Sequence, residues 1–255
     1  MVASVSALSS AGGAASYYEA DDYYAEGGLA PSEWQGPGWD VTLSAPKSVS
    51  IMAEVAGDRR LIGAHTAAVK TALGFVEKHM AATRIREDGN VTREATGNLA
   101  IASFQHGTSR AQDPQLHTHN VILNATQDKD GNWRSLEPRA IYQLQKQIGA
   151  VYRQELALKV RELGYGIETG RESMFEIKGV SKVVINAFSG RSAAIEDRLA
   201  ERGKTREQAS AAEKQIAALD TRDAKSGIDH GKLVNDWRAR ADASGFGLKE
   251  RINMV

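Results

Sequence analysis

The sequence predicts an α+β fold, and three observations carry that expectation. Short stretches such as "DVTLS" (40–44) and "LHTHNVIL" (116–123) alternate with the period of a strand. Turn signals of the hairpin type, "EDGN" and "DKDGN", stand between neighbouring strand-like stretches. Two longer stretches, 58–82 and 138–163, repeat their apolar residues at helical spacing. A strand-rich, antiparallel part of roughly 165 residues is therefore expected to precede a helical part of about 75.

The elements follow in order. The first fifteen residues are small and read as flexible, and "ASYYEADDYYAEGG" (15–28) leads into a turn-rich stretch, "LAPSEWQGPGW" (29–39). After the strand at 40–44, "APKSVSIMAEV" (45–55) opens with Pro46, which suits the first turn of a helix. In the helix over 58–82, Leu61, Val69, Leu73, Val76 and Met80 share one face. "TRIR" (83–86) and "VTREA" (91–95) form a hairpin about "EDGN". "NLAIASF" (98–104) and "LHTHNVIL" are strands, and "DKDGN" turns the chain into "WRSL" (133–136). One long helix over 138–163 is stopped by Gly164. A small hairpin, "GIETG" to "FEIKG", and then helices complete the chain.

Composition narrows the chemistry. A chain of 255 residues holds one large domain or two small ones. It has no cysteine, so disulfides and thiolate ligands are excluded and any metal must sit on nitrogen and oxygen. No basic segment followed by an apolar core opens the chain, and no apolar run is long enough to span a bilayer. A cytoplasmic protein without membrane insertion is expected. The 32 basic and 32 acidic residues cancel, which argues against a uniformly basic nucleic-acid binder but leaves room for a local basic groove.

Three of the six histidines, His106, His117 and His119, fall in "QHGTSRAQDPQLHTHNVILNAT". Alternation on a strand points His117 and His119 to the same face. If His106 pairs opposite His117 in an antiparallel register, Phe104 faces His119 and all three imidazoles gather on one side. Such a set suits a metal acting as a Lewis acid on a carbonyl or phosphoryl oxygen. A polar strand facing solvent is the plainer alternative. A cupin-type oxygenase also uses H-x-H, but it requires a glutamate shortly after the pair, and "NVILNAT" has none.

Four of the seven tyrosines lie at 17, 18, 23 and 24. Among acidic residues they suit an amphipathic contact surface. Beside a metal site they suggest phenol attack on a phosphodiester, because a phenol with a pKa of about 10 is a good leaving group when the strand is resealed.

In combination, "ASYYEADDYY", "DVTLSAPKSVS", "GNLAIASFQHGTSRAQDPQLHTHNVILNAT" and "GAVYRQELA" resemble the MobF group of conjugative relaxases, within the HUH endonucleases. The resemblance implies a palm-like antiparallel β-sheet with flanking helices over 1–165. Residues 166–255 would supply a hairpin and a helical clamp over DNA. It implies nicking of one strand of single-stranded DNA at a transfer origin, with an adjacent hairpin, through a 5′-phosphotyrosyl intermediate that is later religated. The nucleophiles would be Tyr17 and Tyr23, and the ligands of one divalent ion (magnesium, manganese or zinc) His106, His117 and His119. Asp40 would bond a ligand histidine and help deprotonate the nucleophile, while Lys47 and Arg110 would contact phosphates. Accessory relaxosome and coupling proteins are the implied partners.

Rolling-circle initiators and transposases of the same superfamily are the near alternative, and a non-catalytic single-stranded DNA-binding module the distant one. The sequence departs from the family pattern in two places. The tyrosine pairs are closely spaced, and only Pro37, Gly38 and Trp39 separate "SEWQG" from Asp40 where the family has a sizeable segment. Family members carry a C-terminal helicase, whereas this chain has no G-x-x-x-x-G-K-[ST] phosphate loop.

Overall fold

The computed structural model describes residues 3–8, 36–221 and 230–247, with backbone only for 3–8. The chain divides into two compact units interleaved along the sequence. One comprises Met1–Ser44, His65–Gln105 and His117–Leu158; the other comprises Ala45–Ala64, His106–Leu116 and Lys159–Val255.

The first unit is organised by a four-stranded sheet in the order β1-β2-β6-β5, where β1 is Ala3–Leu8, β2 Gly38–Ser44, β5 Ile101–Thr108 and β6 Pro114–Leu123. Strand β6 is the centre of the site, and its burial alternates cleanly. Thr118, Asn120 and Ile122 are buried, while His117, His119 and Val121 are half-buried on the opposite face. Antiparallel pairing sets Trp39 against Ile122, Val41 against Asn120 and Leu43 against Thr118, so these three β2 residues share the buried face. Asp40, Thr42 and Ser44 consequently stand on the histidine face. The two strands approach closely at Gly38, where a Cβ would lie 2.2 Å from the Ile122 carbonyl oxygen, so only glycine fits.

Helix α2 (Arg60–Met80) covers the buried face. Within this unit Val69, Val76 and Met80 are buried and Leu73 half-buried, as the apolar period requires. Thr66 Oγ1 bonds Gln105 Oε1 on β5 at 3.1 Å. The predicted hairpin is present as β3 (Ala82–Glu87) and β4 (Asn90–Ala95), closed by Asp88 and Gly89, both at positive φ (49° and 82°). Strands β7 (Thr126–Gln127) and β8 (Trp133–Arg134) flank the "DKDGN" turn, whose Asp128 accepts bonds from Asp130, Asn132 and Arg134.

Three expectations are corrected. The opening residues are not all flexible, because Ala3–Leu8 pairs with β2 along its length; small residues hid the alternation. The strand expected from Asn98 begins at Ile101, because the Asn98 side chain is engaged with Thr96 O and Gln127. The expected single helix over 138–163 is two helices, α3 (Arg139–Gln143) and α4 (Gln145–Glu162). Leu144, at φ −106° and ψ 14°, interrupts the helix without a proline or glycine to announce it.

The second unit contains α1 (Lys47–Glu54), entered through Pro46 as expected. Residues Ser48 to Ala53 are buried, and both serines are satisfied. Ser48 Oγ accepts the Ile177 N–H (2.7 Å) from the β9–β10 hairpin (Ile167–Thr169 and Phe175–Ile177), while the Ser48 N–H donates to Glu176 (2.9 Å). Ser50 Oγ donates to Pro46 O and accepts the Leu116 N–H. The serines of "SAPKSVS" thus attach α1 to its neighbours. Helices α5 (Lys182–Ala187), α6 (Gly190–Ala200), α7 (Ala211–Asp220) and α8 (His230–Ala243) follow. Ser210 and Glu213 form a full capping box at the start of α7.

Candidate active site on the histidine strand

Asp40 and His119 are brought together across β2 and β6. His119 Nδ1 lies 2.6 Å from Asp40 Oδ2, and Thr42 Oγ1 stands 2.9 Å from the same ring nitrogen. Thr42 also donates to Asp40 Oδ2 at 3.3 Å. An ionised carboxylate only accepts, so the ring proton belongs on Nδ1 and the lone pair on Nε2. Asp40 is buried, with its side chain 4% exposed, whereas His119 is open to solvent at 31%. Asp40 Oδ1 accepts no hydrogen bond among the described residues. One oxygen orients the imidazole while the other keeps its basic lone pairs in a dry setting. The His117 ring stands edge-on to His119, with centroids 5.1 Å apart.

The strand is also held from behind. His65 on α2 is fully buried and bridges Thr118 Oγ1 (2.7 Å, from Nε2) and Tyr152 OH (2.7 Å, from Nδ1). Burial, with a smaller contribution from the nearby His117, lowers its pKa to about 4, so it is neutral at pH 7. Thr118 sits between the two site histidines and points the other way, which makes His65 a rear anchor of H-x-H. Asn120 adds bonds to Val41 O and Thr118 O and receives one from Ser103. Neither His65 nor Tyr152 was visible in the sequence, since only the fold joins them. Thr42 was accessible to the alternation argument, because it shares its face with Asp40.

Of the other expected residues, His106, Lys47 and Arg110 fall in the second unit, and the two tyrosines fall outside the described residues. His106 is exposed on β5 and belongs to the second unit. Among the described residues no three His, Asp or Glu side chains form a group arranged for a metal ion. Tyr17 and Tyr23 fall outside the described residues. Lys47 begins α1, and its ammonium donates to Pro114 O at 3.0 Å; burial lowers its pKa, opposed by Asp113 and Glu176. Arg110 is exposed in the turn between β5 and β6.

That turn is fastened to the C-terminal helices of its own unit. Buried Asp113 accepts the Gly190 N–H at 2.7 Å and Arg240 Nη2 at 2.9 Å. Arg240 also donates to Ala187 O and lies 4.9 Å from the centre of the Phe188 ring. Trp237 Nε1 donates to Gln112 O at 2.7 Å.

Comparison with known proteins decides the family. The TrwC relaxase family model matches residues 35–244. The chain belongs to the TrwC relaxase family. It is 41% identical over 223 residues to the multifunctional conjugation protein TraI of Escherichia coli K12, covering 84% of this chain and 12% of that relative. The chain therefore spans about an eighth of that relative's length. It is similar to TrwC solved with a 27-mer DNA comprising the recognition hairpin and cleavage site, at 41% identity and TM-score 0.80, covering 83% and 75% of the two chains. A metal-bound complex of TrwC with origin-of-transfer DNA gives 39% identity and TM-score 0.81 over 86% and 77%. A copper-bound complex gives 34% and 0.82 over 97% and 89%. The α+β architecture expected from the sequence is the architecture of these TrwC relaxases.

Proposed function

We propose that this chain is a DNA relaxase that nicks and rejoins one strand of single-stranded DNA at a transfer origin by tyrosine transesterification. The observation that carries the reading is the Asp40–His119 pair in a chain of the TrwC relaxase family. The carboxylate fixes the imidazole tautomer and keeps one buried oxygen for a proton.

The donor set suits a divalent ion. Metal-bound histidines are ordinarily oriented through their second ring nitrogen by a carboxylate, which is the role Asp40 Oδ2 has toward His119. His117 presents a second imidazole on the same face, and His106 is the third ligand that the family motif implies. Magnesium, manganese and zinc are all compatible with this reading. A bound ion would neutralise charge at the scissile phosphate. The protein groups would perform the rest. The Tyr17 phenol oxygen attacks phosphorus and its proton passes to Asp40 Oδ1; the P–O3′ bond breaks, the 3′ oxygen takes a proton from water to become a hydroxyl, and the 5′ phosphate becomes a phosphotyrosyl ester. Tyr23 performs the later transfer. Arg110 and Lys47 contact phosphates, and the helices after residue 181 act as a clamp on hairpin-bearing DNA. The protein works in the bacterial cytoplasm with relaxosome and coupling proteins. Among the described residues no helix is long and apolar enough to cross a membrane.

The test is to incubate the protein and a divalent ion with a random single-stranded pool, boil in detergent, and sequence the DNA that stays on protein. A shared sequence at the attached 5′ ends is the expected outcome. The same measurement tells this reading from a non-catalytic DNA-binding module. That module would retain DNA under native conditions and none after boiling.

A further inference from the structure

The histidine face of the first unit continues past His119 as an apolar ledge. Ser103 Oγ donates to Asn120 Oδ1 at 2.7 Å, and the Leu123 N–H donates to Ala100 O at 2.9 Å. Both pairs fit one antiparallel register of β5 and β6, so Phe104 stands opposite His119, one strand spacing of about 4.8 Å away. Its side-chain direction is fixed independently. Ser103 and Gln105 bond groups on the α2-covered face, so Phe104 between them points to the histidine face. There Phe104 is 55% exposed and Leu123 44%, with Ala102 exposed and Val121 half-buried beside them. Strand β5 is the last strand of the described sheet.

We propose that Phe104 is a stacking platform for an unpaired base of the single-stranded DNA whose phosphate reacts beside His119. The inference rests on the relaxase reading and adds to it a base-contacting residue. The chemistry of the ledge selects this occupant. A nucleotide joins a flat apolar base to an anionic phosphate, and the surface joins an exposed aromatic ring to a polar His–Asp–Thr group in the same order. Stacking is indifferent to base identity, since every base has a π-face, so Phe104 adds affinity and position without specifying sequence.

A cycle between the ring and the base tests this. Binding is measured for oligothymidylate of about 12 nucleotides and for an abasic oligomer with the same backbone. Phe104→Ala should weaken binding of oligothymidylate roughly tenfold and leave the abasic oligomer unchanged, because phosphate contacts persist. Phe104→Trp should restore the preference for bases. Melting temperature of each variant is read alongside. Equal losses on both oligomers, or no loss on either, overturn the inference. So does a Phe104→Ala protein that melts several degrees lower with its base preference intact, which would mean that the ring packs on protein. If the parent forms the detergent-stable adduct but its base preference ignores residue 104, the inference fails alone. A parent that binds neither oligomer also overturns the inference, which requires sequence-indifferent binding, while the detergent-stable adduct tests the relaxase reading separately.

Discussion

His119 is oriented by Asp40 through a 2.6 Å hydrogen bond to Nδ1, while the second oxygen of the same buried carboxylate accepts nothing among the described residues. The two oxygens therefore have separable duties. Asp40→Asn keeps the size and can keep one acceptor for the ring, but it loses the basic oxygen. Single-turnover cleavage should slow by about 100-fold or more, the range of general-base catalysis, with DNA affinity within about twofold of the parent. An equal loss of affinity and rate would assign Asp40 to DNA binding instead.

His117→Ala removes one proposed ligand from the histidine face. Metal content of the purified protein should fall steeply, while DNA affinity at fixed salt survives because phosphate contacts dominate it. Unchanged metal content would show that the site had been misassigned.

The rear anchor predicts a pH effect. The folded pKa of His65, about 4, lies below the ordinary 6.5, so the unfolded chain binds more protons between those values. Stability contributed by keeping His65 neutral is complete above pH 6.5 and is lost as pH falls toward 4. His65→Gln should flatten this part of the stability curve relative to the parent. Tyr152→Phe, which strips a partner from a buried imidazole, should cost about 1–3 kcal/mol in denaturant unfolding at pH 7. Parallel pH curves for parent and His65→Gln would contradict the assignment.

Much of this frame was legible in the sequence because it depends on local periodicity. Alternation located β2 and β6, the 3.6-residue period located α2, and the order of motifs pointed to the family. The same parity rule that pairs His117 with His119 also puts Thr42 beside Asp40. What escaped had no local signal. His65 and Tyr152 are 87 positions apart and meet only in the fold. The break at Leu144 lacks any helix-breaking residue, and β1 is a short Ala-Ser-Val-Ser alternation set in a stretch of small residues that reads as flexible. Lys47 stands at a helix start where the sequence placed it, but its bond to Pro114 O near Asp113 and Glu176 had no local signal.

Asp113 ties the turn bearing Arg110 to α8 and to the start of α6. Asp113→Ala leaves the Gly190 N–H and Arg240 without their acceptor and should cost about 2 kcal/mol, with faster proteolysis of the C-terminal helices. Chymotryptic half-life and a urea melt read this directly. If both match the parent, the fastening contributes nothing to the tail's stability.

Mapping the DNA-bearing peptide by mass spectrometry, for the parent and for Tyr17→Phe, tests the central claim most directly. The parent should carry the 5′ phosphate on the peptide containing Tyr17. Tyr17→Phe should bind the same DNA with parental affinity and form no adduct in the first cleavage. Attachment at Tyr18 would move the nucleophile by one residue and leave the chemistry intact. Complete cleavage by the parent with no adduct on any tyrosine would contradict transesterification and make the protein a hydrolase.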